Sequence, residues 1–217
     1  MRVLAILLLL WAGPANAGPW LREAGTGFFA LSGTVNERYE QGTSLYVDYG
    51  LRARLTIGAE LDLTMPGAAP LSGSGRVFAR MPLADGTWIA SWHVGLGGRD
   101  LQGRLEPFAS GGVSIGRGLN WKGRMGWLAF DTRVDLGTSA VRQFKLDTTF
   151  GMQIGQRGKG MLQLFVTADN AGDLHTTLAP SYVFTPKQGG PSYQLGLEAK
   201  RSKKTELGLK LGLWRKF

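Results

Sequence analysis

The feature that most constrains this chain is a hydropathy alternation with a period of two, recurring from Thr26 to the last residue. Successive side chains of a strand point to opposite faces of a sheet, so such a run makes one oily face and one polar face. In the last stretch Leu207, Leu209, Leu211 and Leu213 share one face, with Glu206, Gly208, Lys210, Gly212 and Trp214 on the other. Phe144, Leu146, Thr148, Phe150, Met152 and Ile154 alternate in the same way with Gln143, Lys145, Asp147, Thr149, Gly151 and Gln153. So do Leu128, Phe130, Thr132, Val134 and Leu136 against Ala129, Asp131, Arg133 and Asp135. No long stretch carries the period of an amphipathic helix.

The alternation divides into about twelve segments of roughly ten residues, the length at which a tilted strand crosses a bilayer. They lie near 26–35, 43–51, 55–64, 74–81, 87–97, 108–116, 126–137, 141–155, 160–169, 174–185, 192–200 and 205–217. Pro66-Gly67, Pro82 to Gly86, Gly97-Gly98, Arg157-Gly158, Pro186 to Gly190 and Ser202-Lys203 supply the breaks between them. A soluble sandwich would turn its polar face to bulk water and fill it with Lys, Glu and Thr. Here that face holds Gly50, Gly58, Gly95, Gly112, Gly151, Gly196, Gly208 and Gly212, and small residues suit the crowded inside of a closed barrel. The oily face carries Tyr49, Trp88, Tyr182, Phe184 and Tyr193 near segment ends, as an interfacial girdle requires. The expected fold is all-β: one transmembrane antiparallel β-barrel of about 12 strands, with 10–14 allowed.

Export is written at the other end of the chain. Met1-Arg2, the apolar run Val3 to Trp11 and the sequence Pro14-Ala15-Asn16-Ala17 form a signal peptide cleaved after Ala17, leaving 18–217 as the barrel domain. The run is about half the ~20 residues that a membrane-spanning helix needs. The chain closes on Phe217, with Leu213, Leu211 and Leu209 on the same face. This terminus resembles the C-terminal strand of bacterial outer-membrane β-barrel proteins, with Arg215 where an aromatic or apolar residue is usual. The segment Tyr49 to Gly58 likewise looks like the short inner turn of such barrels. The resemblance implies outer-membrane location, partnership with outer-membrane lipid and lipopolysaccharide, and an assembly signal at Leu209, Leu211, Leu213 and Phe217 read by the barrel-assembly machinery.

With the N-terminus in the periplasm and an even strand count, loops near 36–43, 65–74, 98–107, 138–140, 170–173 and 201–204 face the outside. The lumen then receives Asp48, Glu60, Asp62, Arg76, Arg80, Asp131, Arg133, Asp135, Lys145, Asp147, Glu198, Lys200, Glu206 and Lys210. In an open pore such charges replace ion hydration and filter by sign, and in a filled barrel they neutralise one another. On the second reading Arg133 sits between Asp131 and Asp135, beside Lys145 and Asp147.

Other chemistries find little support. The chain has no cysteine and only two histidines, His93 and His175, which leaves no metal site or cofactor to assign. The net charge of +9 gathers at strand ends, in Lys200-Arg201-Ser202-Lys203-Lys204 and Arg215-Lys216, and not in a nucleic-acid stripe. The cluster at 200–204 suits phosphates of the outer lipid layer or a solvated turn. Gly111 to Gly118 has the glycine spacing of a phosphate loop, but Arg117 and Gly118 replace its Lys and Ser/Thr and no helix follows. An outer-membrane lipase would need a serine two positions after its histidine, and Thr177 stands there after His175; Ser91 and His93 share a face. No catalytic residue is assigned.

The function expected is a narrow passive pore or a small structural surface protein. A lipid-modifying enzyme of the lipase or lipid A deacylase type, or a soluble exported β-protein, are the alternatives. Deleting Phe217 should lower the folded, membrane-inserted amount, read by heat-modifiable gel migration, more than deleting Asn170 does. Equal amounts would make the terminal match an accident.

Overall fold

The computed structural model describes residues 18–65, 71–101, 103–139, 142–202 and 204–217. The expected leader, the Pro66-Gly67 break, residue 140 of the expected loop 138–140 and Lys203 lie outside the described residues. The alternating segments form twelve strands: β1 Gly27–Asn36, β2 Gln41–Arg52, β3 Leu55–Met65, β4 Ser72–Ala84, β5 Ile89–Leu101 and β6 Arg104–Trp121. β7 Arg124–Gly137, β8 Arg142–Ile154, β9 Gly158–Asp169, β10 Leu174–Phe184, β11 Ser192–Arg201 and β12 Thr205–Lys216 complete the series. Each pairs antiparallel with its chain neighbours, and β1 also pairs with β12, so the sheet closes into a barrel.

Closure satisfies the backbone. β1 and β12 are in register from Phe28 opposite Lys216 to Asn36 opposite Gly208. Gly27 N donates to Phe217 O at 2.6 Å and Phe217 N to Gly27 O at 3.0 Å, which carries the seam to the final residue. A sheet without edges leaves no ladder group unpaired, the condition that hydrocarbon imposes on a spanning sheet. Both ends of the described chain therefore sit at one rim, called here the terminal rim.

Period two sorts the side chains. On β12 Leu207, Leu209 and Leu211 point outward and are more than half exposed, as are Leu195 and Leu197 on β11. Tyr49, Trp88, Tyr182, Phe184, Tyr193 and Phe217 are exposed at the terminal rim, joined by Trp121, while Tyr39 and Phe144 stand toward the other rim. Inner glycines make room for neighbouring rings. A Cβ on Gly58 would strike Phe78, and one on Gly151 would strike Trp127.

Two expected breaks turn out to be strand. Gly97-Gly98 lie within β5, and most of the expected loop 98–107 is paired strand, with Arg99 opposite Glu106 and Leu101 opposite Arg104. Gly97 is glycine because Phe108, Arg76 and the Gly75 carbonyl crowd the place of its Cβ, a packing demand that reads as a turn signal in the sequence. β6 likewise runs past 116 to Trp121, and the real turn follows at Lys122 and Gly123, both at positive φ. In β4 the strand continues beyond 81, and Pro82 marks a bulge.

Leu211→Arg, mid-strand and 62% exposed on the outer face, should cost about 2–4 kcal/mol of folding free energy in lipid. Gln143→Arg, on the inner face, should cost much less in the same urea titration; the reverse ranking would invert the two faces.

Candidate functional site in the barrel lumen

The inner face is crowded and divided into two unlike walls. On the wall from β2 to β8, Glu60 accepts two hydrogen bonds from Arg76, at 2.8 and 2.9 Å, and a third from Arg133 Nη1 at 2.8 Å. β3 and β7 are not neighbours in the ring, so the Arg133 bond crosses the lumen. Arg133 Nε lies 3.0 Å from Asp135 Oδ1, a charge contact and not an aligned hydrogen bond. A second chain of contacts runs toward the terminal rim. Asp131 accepts from Ser114 Oγ at 2.7 Å, faces His93 Nε2 at 3.3 Å and stands 3.8 Å from Arg80. Arg80 meets the Tyr46 hydroxyl at 3.5 Å, and that hydroxyl donates to Asp48 at 2.8 Å. Toward the other rim Arg99 donates to Glu106 at 2.7 Å, and Glu106 also accepts from the backbone and hydroxyl of Ser139.

The opposite side of the lumen, from β9 through β12 to β1 and β2 with Trp127 of β7 and Thr149 of β8 at its edge, is mostly neutral. Phe28, Tyr46, Trp127 and Trp214 present rings to a cavity of about 180 Å³, with Ser32, Thr149, Gln163, Gln194 and Lys210 between them. Phe28 packs edge-on to Trp214 at 6.0 Å and tilted to Tyr46 at 6.2 Å. Lys210 Nζ is held 3.0 Å from Glu198 and lies over the Phe165 ring.

Residues 18–26 form a strap inside the terminal rim. Ala24 bridges to Gly50, and Gly25 N donates to Gly50 O at 2.9 Å. Arg22 then reaches Asp48 through Nε at 2.6 Å and Thr56 through its backbone N at 2.9 Å, with its guanidinium 4.7 Å over Phe28. Pro19 and Trp20 lie where a Cβ on Gly116 would stand, and Gly18 backs onto Ala129. Trp20 also packs on the Trp127, Met161 and Val183 cluster. The strap thus passes from the β1–β2 side to β6 and β7 across the mouth.

A closed ring of twelve strands enclosing such a lumen can be compared directly with solved structures. The KdgM porin superposes with a TM-score of 0.54 at 8% identity, over 88% of this chain and 99% of its own. The KdgM porin in complex with disordered oligogalacturonate gives 0.55 at 8%, over 88% and 99%. The COG4313 outer membrane channel from Pseudomonas putida F1 gives 0.53 at 12% identity, over 94% and 99%. This chain has the fold of the outer-membrane β-barrel porins. No protein-family model and no curated protein matches its sequence.

Within this porin-type barrel, Asp48, Glu60, Arg76, Arg80, Asp131, Arg133 and Asp135 come together on the charged wall. Asp62, Lys145 and Asp147 stand near them; Lys145 lies in the field of Arg133, Asp135, Asp62 and Asp147. Glu198 and Lys210 pair on the neutral wall, while Lys200 and Glu206 line a small recess at the non-terminal rim with Asn36 and Glu40. One expected pairing is corrected: Arg133 takes Asp135 and Glu60, and Asp131 turns to Ser114, His93 and Arg80. Same-face residues on one strand are ~6.6 Å apart, so a long guanidinium reaches across the lumen as readily as along the strand. The Ser91 hydroxyl is buried and makes no hydrogen bond among the described residues, while His93 faces Asp131, so the two do not form a pair. His175 is exposed near the β9–β10 turn. Alternation places Trp214 on the inner face, while Arg22, Trp20 and the rings of Phe28, Tyr46 and Trp127 escaped the sequence reading, although Trp127 shares parity with Asp131, which was signal enough.

Glu60→Gln should leave Arg76 and Arg133 short of a countercharge. The loss should be on the order of 2–4 kcal/mol in urea unfolding, a little below that of a fully buried pair, since its side chain is 23% exposed. Glu206→Gln, whose partner Arg38 is 48% exposed, should cost less than about 1 kcal/mol.

Proposed function

We propose that this protein is a narrow outer-membrane channel for small solutes, exported on the 1–17 leader and inserted with the terminal rim in the periplasm. The observation that carries this reading is a sealed ring, oily outside, around a lumen that keeps a cavity of about 180 Å³. The fold shared with the KdgM porin and the COG4313 channel supports it. The strap is its constriction on the periplasmic side. The exposed Lys200, Arg201 and Lys204 then lie at the outer rim, placed to meet lipid phosphates. Phe217, at the seam, is the residue offered to the assembly machinery.

The KdgM porin is solved with disordered oligogalacturonate, an acidic chain. In the present lumen Arg76, Arg80 and Arg133 face Glu60, Asp131 and Asp135, so little positive field is left over for a polyanion. Weak sign selectivity is expected. A filled structural barrel is the second reading, favoured by the Arg133–Glu60 bond across the lumen.

Refolded protein in a planar bilayer should show small, discrete conductance steps, and a variant lacking Pro19–Glu23 should show severalfold larger ones. Silence from both would establish the filled barrel.

A further inference from the structure

The cavity on the neutral wall has a lining that differs in kind from the rest of the lumen. Four aromatic rings, Phe28, Tyr46, Trp127 and Trp214, alternate with the amides of Gln163 and Gln194 and the hydroxyls of Ser32 and Thr149. Among the described residues Lys210 is the one charged group in the lining, and Glu198 at 3.0 Å balances it. We infer that this cavity is a binding site for an uncharged, hydroxyl-rich six-membered ring of hexose size. The inference deepens the channel reading and rests on it.

Size sets the first bound. A space of about 180 Å³ holds the liquid share of roughly six water molecules, the bulk of one sugar ring and well short of a drug-sized ligand. Chemistry sets the second. The flat C–H faces of a pyranose stack on rings, which a purely polar lining cannot offer. An apolar guest would fill the same space but would leave the amides and hydroxyls unpaired, which costs about 1–3 kcal/mol for each buried group. Each amide carries two donors and two acceptor positions. Gln163 spends one on Thr149 at 3.4 Å and Gln194 one on Ser181 at 2.9 Å among the described residues. Gln194 is 4% exposed, so its remaining capacity must be met inside the barrel.

Charge sets the third bound. The guanidinium groups that would attract an acidic sugar are bound to carboxylates, Arg76 and Arg133 on the other wall and Arg22, over the Phe28 ring, to Asp48. A glucuronate entering the neutral cavity would lose water around its carboxylate, while the charged residue in the described lining, Lys210, is already engaged by Glu198. Trp20 of the strap packs on the cluster that includes Trp127 and Met161, two residues that line the cavity, so the strap lies beside it.

Binding can be measured apart from conduction, on the full chain refolded in detergent and checked for heat-modifiable migration. Saturation-transfer NMR and calorimetry with glucose should show saturable millimolar binding. Glucuronate should bind at least tenfold more weakly, and the open-chain polyol sorbitol likewise. Gln163→Ala should weaken glucose at least fivefold and Trp214→Leu at least tenfold, while Lys200→Ala should leave it unchanged. Absence of glucose binding, glucuronate binding as tight as glucose, or glucose affinity unmoved in folded Gln163→Ala would each overturn the inference. A silent bilayer with intact glucose binding would refute the channel and leave the site standing; conductance without glucose binding would do the reverse.

Discussion

The pairing of the first strand with the last is the interaction on which the rest of this molecule depends. Until Gly27 and Phe217 exchange their backbone hydrogen bonds, the sheet has two edges, and each unpaired group in hydrocarbon costs several kcal/mol. Once the ring shuts, those edges are gone and a new constraint appears. Period two now places half of every strand's side chains in an enclosed volume that twelve strands cannot leave wide. What the lumen does follows from how that volume is filled.

It is filled in two ways. Between β2 and β8 much of the filling is charge, gathered around two carboxylates: Glu60 accepts from Arg76 and Arg133, and Asp131 accepts from Ser114 and lies close to His93 and Arg80. Such a network is rigid because removing one member leaves the others unbalanced in a low dielectric. Between β9 and β2 the filling is aromatic, and large rings pack less completely than a charge lattice knits together. The cavity therefore sits on the aromatic side. Inner glycines serve both walls, standing wherever a neighbouring ring or imidazole lies flat against the backbone, as Trp127 does at Gly151 and His93 at Gly112.

The alternating runs made the barrel, its strand number and the inner face of Glu60, Arg76, Arg80, Asp131, Arg133 and Asp135 legible, because parity is a local property of the chain, whereas the buried pair Arg99 and Glu106 read as loop residues. The partners of those charges were not legible. Arg133 reads as the neighbour of Asp131 and Asp135, yet its bond to Glu60 depends on the curvature of a closed ring, which no local pattern records. Glycine was misread for a related reason. At Gly97 it answers crowding from Phe108 and Arg76, and from the sequence that is indistinguishable from a turn. The strap was invisible because Gly18 to Thr26 has no periodicity; Trp20 and Arg22 are recognised as inner residues only once Gly50 and Gly116 are seen to make space for their backbone and rings.

The strap also differs in its attachment from the walls it crosses. In the strap Arg22 forms an ion pair with Asp48, a carboxylate that is 1% exposed. If the strap withdraws, Asp48 keeps the hydrogen bond from Tyr46, 2.8 Å away, and the opened mouth admits water to its other oxygen. Glu60 has no such reserve, because its two arginines come from strands fixed in the sheet. Release of the strap exposes Trp20 and the face of Trp127 it covers, an apolar cost of a few kcal/mol at ~25 cal/mol per Å², while breaking the charged wall strands ions in the interior. The lumen thus has one boundary that belongs to the scaffold and one, at the terminal rim, that is joined to it by backbone pairing at Gly50, by the contacts of Arg22 with Asp48 and Thr56 and by the packing of Trp20.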